Sequence, residues 1–293
     1  MKLCHWLGQS LIKGRTCYKE QFYGIRSHRC LQMTPTVDHC NQACMFCWRH
    51  HSMTEMEGEG LDEPAAVLDK CFEGHRKLIT GFKGDERCDP KMWKEANEPK
   101  HIAISLAGEP TLYPRLGELI AECHRRGMTT FLVTNGTMPK ALARLDPLPT
   151  QLYLTIAASD EATYKRTCVP RFPRGWALLN ETIDMLPSLS DRTRVTIRHT
   201  LVKGWNMEDA SIPDYAKMDA RAEPLFIEPK GYVLVGESRQ YLKLENMPSH
   251  EEIKTFSNGL MEHLGGGYEL AGEQKASRVV CLTKDPKRMR IIL

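Results

Sequence analysis

The sequence predicts an α/β fold built on a parallel sheet of six strands. Three observations lead there. From about residue 32, short apolar runs rich in β-branched residues alternate with stretches of helical periodicity, the pattern of right-handed βαβ units. The loops 38–51, 107–114, 134–137, 157–160 and 203–206 each follow one of those runs, at the strand ends where such sheets collect binding groups. A chain of 293 residues, 41% of them hydrophobic, suits one large core with appendages. An open doubly wound sheet and a barrel both fit the alternation.

Taken in order, the first strand is expected in LQMTPTV (31–37), which runs into a cysteine loop. A helix at about 62–82 precedes the second strand, HIAISLA (101–107). RLGELIAECHRRG (115–127) has helical spacing, with Gly127 where a C-terminal cap belongs. The remaining strands are TTFLVTNG (129–136), QLYLTIAAS (151–159), RVTIRHTLV (194–202) and PLFIEPKG (224–231), with helices at 161–167, 173–187 and 208–219. Residues 1–30 hold three cysteines and little periodicity, and 83–100, polar with two prolines, reads as an exposed insertion. After residue 231 come a strand-like YVLVG, a helix at 249–264 capped by Ser249, and a β-like SRVVCLT, a small α/β addition. The division expected is 1–37, 38–230 and 231–293.

A formal net charge of +3 does not demand a nucleic-acid partner but leaves room for a local basic patch. No run of about 18 apolar residues suggests a membrane span, and the first residues, MKLCHWLGQSLIKGRTC, lack a secretory apolar core. A cytoplasmic monomer is expected. The absence of a G-x4-G-K-[ST] loop disfavours nucleotide hydrolysis. Eleven cysteines in such a chain point to metal or redox chemistry. Six of them lie in the first 47 residues; Cys71, Cys88, Cys123, Cys168 and Cys281 are scattered, as small buried hydrophobes would be.

The loop VDHCNQACMFCWRHH (37–51) spaces Cys40, Cys44 and Cys47 as C-x3-C-x2-C. Structural zinc wants four ligands, with His39, His50 or His51 as the fourth here. A 4Fe-4S cluster on three thiolates would instead leave one iron open to a ligand. This spacing resembles the signature of the radical SAM superfamily. The resemblance implies a cluster that binds S-adenosylmethionine at the open iron, and a partial (β/α)6 TIM-type barrel. SLAGEPTLYP (105–114) resembles the superfamily's Gly-Gly-Glu-Pro loop, with Ala107 in the first Gly position. Gly108 and Glu109 would then receive the S-adenosylmethionine ammonium through a charge-assisted bond. Thr134 and Asn135 would meet the ribose, and Thr155 would line the same pocket.

Cys4, Cys17 and Cys30 are 13 residues apart, too far for a compact zinc knuckle. A second 4Fe-4S cluster on these three would again leave an open iron, one able to chelate a small oxyacid. Lys19 lies two residues after Cys17. Desolvated beside a cluster, its amine could form a Schiff base with a ketone; Lys13 competes for that role.

This trio, followed by CNQACMFCWR, SLAGEPTLYP, FLVTNG, CVPRF and LVKGWNM, resembles the archaeal-type tRNA 4-demethylwyosine synthase family over nearly the whole chain. The resemblance implies that N1-methylguanosine-37 of tRNA-Phe condenses with two carbons of pyruvate, in wyosine biosynthesis. It assigns radical generation to the Cys40/Cys44/Cys47 cluster, pyruvate binding to the Cys4/Cys17/Cys30 cluster and imine formation to Lys19. Residues 1–37 become a cluster-binding extension, and 231–293 a wyosine-type extension. Eukaryotic relatives carry a flavodoxin-like domain in front, so an external donor of ferredoxin or flavodoxin type is implied.

An anticodon-loop base is already single-stranded and can be splayed into a pocket. YKRTCVPRFPRGW (164–176) and KGWN (203–206) mix cations with aromatics near the mouth, making Arg171, Arg174 and Lys203 the candidate RNA contacts. The competing functions are a different radical SAM enzyme with an auxiliary cluster, and a zinc-stabilised RNA-binding protein.

Overall fold

The computed structural model describes residues 1–53 and 62–291. Six strands run parallel in chain order: β1 (Cys30–Met33), β2 (His101–Ile104), β3 (Thr129–Thr134), β4 (Gln151–Thr155), β5 (Arg194–Leu201) and β6 (Phe226–Gly231). The C-terminal part adds β7 (Glu269–Gln274) and β8 (Val279–Thr283) antiparallel, giving the order β1-β2-β3-β4-β5-β6-β8-β7. The two edges, β1 and β7, do not pair with each other. The barrel is thus partial, as the fold class requires.

Ten helices accompany these strands among the described residues: α1 (His5–Lys13), α2 (Tyr18–Tyr23), α3 (Pro64–Ile79), α4 (Pro90–Ala96), α5 (Leu116–Arg125), α6 (Pro139–Ala143), α7 (Glu161–Cys168), α8 (Gly175–Met185), α9 (Ile212–Ala222) and α10 (His250–His263). Strand side chains alternate between two buried faces, as parallel strands do. Leu31, Ile102, Leu132, Leu152 and Ile197 are fully buried on the outer face against Leu68, Leu119, Ile183 and their neighbours. Cys30, Ala103, Phe131, Tyr153, Phe226 and Cys281 point to the inner face. There they meet Tyr18, Phe22, Tyr23 and Ile25 of the N-terminal segment.

Residues 1–29 are therefore not a loose appendage. Their two helices span 9 and 6 residues, too short to leave a clear helical period. The 83–100 insertion also packs. Asp89 caps α4 by accepting from Lys91 N (2.7 Å) and Met92 N (3.1 Å), with Pro90 at the first helical position. Ala96 and Cys88 are buried against Leu7, Leu11 and Ile79.

Local signals held where they were chemical. Gly127 takes φ +67° just past α5. Ser249 Oγ accepts from Glu252 N at 3.2 Å, and Glu252 Oε2 accepts from Ser249 N at 2.7 Å, a capping box. YVLVG is not a strand; its chain is drawn to the cysteine loop, where Glu237 N–H donates to Trp48 O at 3.0 Å. The periodicity missed β7, a largely exposed edge strand with an irregular register near Gly272. The five scattered cysteines are all buried.

Candidate active site

Backbone hydrogen bonds clamp the cysteine loop from three sides. Glu109 N–H donates to His39 O (2.8 Å), Ala43 N–H to Val169 O (3.0 Å), Met45 N–H to Thr167 O (2.9 Å) and Arg171 N–H to Asn41 O (3.0 Å). Trp48 Nε1 donates to Leu106 O at 3.3 Å. Gly108 lets this happen: it sits at φ +71°, and a β-carbon there would stand 1.7 Å from Thr36 O. Only glycine accepts that approach. Gly236, at φ +60°, does the same against Trp48 O.

Cys40, Cys44 and Cys47 then line one cavity of about 250 Å³, together with Gly108, Glu109, Thr134, Asn135 and Thr155. All eight residues singled out for this site meet there. Glu109 is 2% exposed. Its Oε1 accepts from Thr111 N (3.1 Å), Thr111 Oγ1 (2.5 Å) and Thr134 Oγ1 (2.7 Å), while Oε2 accepts from Asn135 N (2.8 Å). Burial raises its pKa. Oε2, carrying one of these bonds, retains capacity for a ligand ammonium. Asn135 Nδ2 donates to Asn41 Oδ1 at 2.9 Å, tying the β3 loop to the cysteine loop.

The thiols suit a polynuclear cationic centre. Burial pushes Cys40 up to about 12, with Cys44 and Glu109 adding to it. Cys47 is raised by burial and then by Cys44. Cys44 is raised first by a hydrogen bond with Cys168, then by burial. Three thiolates in one buried wall repel each other unless a cation compensates, and an iron–sulfur cluster does so through separate irons. Among the described residues no group of three or more His, Cys, Asp or Glu is gathered to hold a metal ion as it stands; the thiols share a wall, not a point. Two of the histidines considered as a fourth ligand are paired elsewhere: His39 Nδ1 lies 2.9 Å from Asp38 and His50 pairs with Glu237 at 2.6 Å. His51 stacks on Tyr241 at 5.6 Å, a contact that leaves its Nε2 unspent.

The second trio also converges. Cys4 and Cys17 stand at the N-terminal caps of α1 and α2, and Cys30 opens β1. Burial, then the neighbouring Cys4, pushes Cys17 up to about 12 and raises Cys30. Lys19 is 7% exposed. Its Nζ lies 4.7 Å above the Phe131 ring and 4.9 Å above that of Tyr153. Burial lowers its pKa, and the Arg198 charge lowers it further. Lys13, by contrast, is exposed at the end of α1.

Beside Lys19 lies a network that periodicity and motif spacing do not reveal. Arg198 donates from Nη2 to Glu228 Oε2 (2.5 Å) and Tyr18 OH (2.6 Å), and Tyr23 OH donates to Glu228 Oε1 (2.5 Å). One signal of it is in the sequence: Arg198 and Glu228 are charges at inward positions of apolar strands. The RNA candidates are already engaged within the chain. Arg171 Nη2 donates to His51 O at 2.6 Å, Arg174 pairs with Glu181 at 3.0 Å, and Lys203 pairs with Glu252. Arg171 therefore holds the cysteine loop.

Comparison with known proteins shows what the chain is similar to. Residues 34–212 match the radical SAM superfamily model, and 221–284 match the model for wyosine base formation. The S-adenosyl-L-methionine-dependent tRNA 4-demethylwyosine synthase of Pyrococcus abyssi is 47% identical, over 97% of this chain and 83% of that protein. A solved TYW1 structure with a lysine–pyruvate adduct bound is 38% identical with a TM-score of 0.87, over 99% of this chain and 91% of that one. An archaeal TYW1 crystal structure is 33% identical with a TM-score of 0.80, over 99% and 92%. On its sequence and fold, this chain belongs to the S-adenosyl-L-methionine-dependent tRNA 4-demethylwyosine synthase family.

Proposed function

We propose that this protein is the radical SAM lyase that builds 4-demethylwyosine from N1-methylguanosine-37 of tRNA-Phe and two carbons of pyruvate. The observation that carries the reading is Lys19. It is buried on the inner face beside Cys17 and Cys30, which Cys4 neighbours in turn, with its pKa lowered by burial, and the solved relative is described as holding a lysine–pyruvate adduct. Cys40, Cys44 and Cys47 would hold one 4Fe-4S cluster, and Cys4, Cys17 and Cys30 a second. When bound, the first cluster and S-adenosylmethionine supply the radical that takes hydrogen from the N1-methyl group.

The chain's own residues do the rest. Glu109 Oε2 and the backbone at Gly108 orient the S-adenosylmethionine ammonium, and Thr134, Asn135 and Thr155 shape its cavity. The Lys19 amine adds to C2 of pyruvate, whose oxygen leaves as water, forming an imine. The aromatic floor of Phe131 and Tyr153 keeps water from that bond. Arg174 and Lys203 exchange their internal partners for phosphate, and Arg171 holds the loop near the target base. An external ferredoxin- or flavodoxin-type donor supplies electrons to a cytoplasmic monomer. The division into 1–37, 38–230 and 231–293 belongs to the same reading.

The test is iron, sulfide and zinc content after anaerobic reconstitution, on wild type and on Cys4→Ala/Cys17→Ala/Cys30→Ala. About eight irons falling to about four are expected for two four-iron clusters, with pyruvate-dependent conversion of methylated tRNA by the wild type alone. About four irons in both proteins, the content of one such cluster, removes the second. Zinc without iron ends the radical reading.

A further inference from the structure

The network beside Lys19 uses only part of a guanidinium. Arg198 spends Nε on Glu228 Oε2 (3.2 Å), and Nη2 on Glu228 Oε2 and Tyr18 OH. Nη1 has no partner among the described residues. The side chain is 13% exposed, whereas Glu228 is fully buried. Arginine carries five N–H donors in a fixed fork, so two donors remain on Nη1.

Their position is defined by the sheet. Arg198 lies 4.5 Å from the centroid of the Tyr153 ring, the ring that Lys19 Nζ overlies at 4.9 Å. In strand register Arg198 pairs with Thr155, which lines the cavity of the first cysteine trio. The guanidinium thus lies against the ring that Lys19 overlies, on the residue whose strand partner lines that cavity. Glu228 and Tyr18 hold it there, and Tyr23 holds Glu228 in turn. A second cation, Lys230, follows on β6, but its ammonium is turned away to Ser277 O at 3.1 Å. Arg198 Nη1 thus offers unspent charged donors beside the ring that Lys19 overlies, and such donors favour an anion.

Resting on the Lys19 reading, we propose that Arg198 is the carboxylate receptor that makes the site select a 2-oxo acid over a neutral ketone. The imine carbon would sit at Lys19 and one C1 carboxylate oxygen on Arg198 Nη1, which leaves the other oxygen to the Cys4/Cys17/Cys30 cluster, with Glu228 as the positioning residue that aims the fork. A charge-assisted pair of this kind distinguishes pyruvate from a ketone of equal size.

The experiment uses the anaerobically reconstituted protein without S-adenosylmethionine. Lys19 adducts are trapped by borohydride over a range of pyruvate and, separately, hydroxyacetone concentrations, and read by intact mass. Wild type is expected to prefer pyruvate. Arg198→Gln/Glu228→Gln, which leaves no buried charge unpaired, is expected to raise the pyruvate concentration for half-trapping by about tenfold or more, with hydroxyacetone unchanged. Should that variant not fold, Arg198→Lys keeps the charge without the fork and is expected to weaken trapping several-fold with pyruvate alone. Unchanged pyruvate preference in a folded variant overturns the proposal. A wild-type adduct with no preference for pyruvate overturns it too while leaving Lys19 intact. No adduct with either ketone overturns the Lys19 reading and this one together.

Discussion

At Gly108 a β-carbon would lie 1.7 Å from Thr36 O and 2.6 Å from His39 O, on a backbone at φ +71°. The neighbours are backbone atoms and cannot rotate away. Gly108→Ala is therefore expected to cost about 2 kcal/mol or more and to pull the Glu109–His39 hydrogen bond apart. Thermal unfolding and the iron bound after reconstitution would both fall. A variant that melts with wild type and binds iron equally well would refute the argument. Glu109 is a different kind of residue: its carboxylate staples the ends of β2 and β3 together before any ligand arrives. That explains how a buried acid is retained beside three thiols, since four donors satisfy it.

Among the elements, α10 is the one whose start can be tested most directly. Ser249 and Glu252 bond reciprocally at its first turn, so Ser249→Ala is expected to cost about 1 kcal/mol. Chemical denaturation should show this as a lower midpoint at unchanged slope. β2 carries a pH-sensitive anchor. His101 is 1% exposed; its Nε2 accepts from Arg26 N at 3.2 Å, and its Nδ1 lies 2.7 Å from Thr129 Oγ1. Burial, with the nearby Arg29 charge next, holds its pKa down at about 4. The unfolded imidazole titrates near about 6.5. Below that pH the unfolded chain binds a proton that the folded chain refuses, so stability falls as pH drops from about 6.5 to about 4. The loss totals about 3 kcal/mol. His101→Gln should flatten that stretch of the stability curve; parallel curves for variant and wild type would argue against it.

For the whole molecule, the open sheet leaves its mouth framed by the cysteine loop, the 164–176 segment and the residues after β5 and β6. Arg174 and Lys203 lie on that frame, each on an exposed ion pair that contributes little by itself. On the proposed function they turn to phosphate when tRNA binds. Arg174→Ala/Lys203→Ala should then flatten the dependence of log affinity on log salt by roughly 0.7–0.9 for each phosphate no longer neutralised. Fluorescence anisotropy on tRNA-Phe across a salt series measures this. An unchanged slope would remove both residues from the RNA interface.

What the sequence determined by itself was local. Six apolar runs rich in β-branched residues marked the parallel strands, because a strand buried on both faces is mostly apolar; Arg198 and Glu228 break that rule. Gly127 and Ser249 marked helix ends, and C-x3-C-x2-C with the Gly108–Glu109 turn marked one cavity, because backbone conformation and ligand count are written in neighbouring residues. The tertiary structure alone decided what fills the inner face. Tyr23 bonds Glu228 across 205 residues, and Arg198 bonds Tyr18 across 180. Those pairings, with the sheet register that carries Cys30, bring Lys19 and Cys17 to Phe131 and Tyr153. Periodicity records that a side chain is buried, but not against what. The partner of a buried charge is chosen by packing between segments that no sequence window contains.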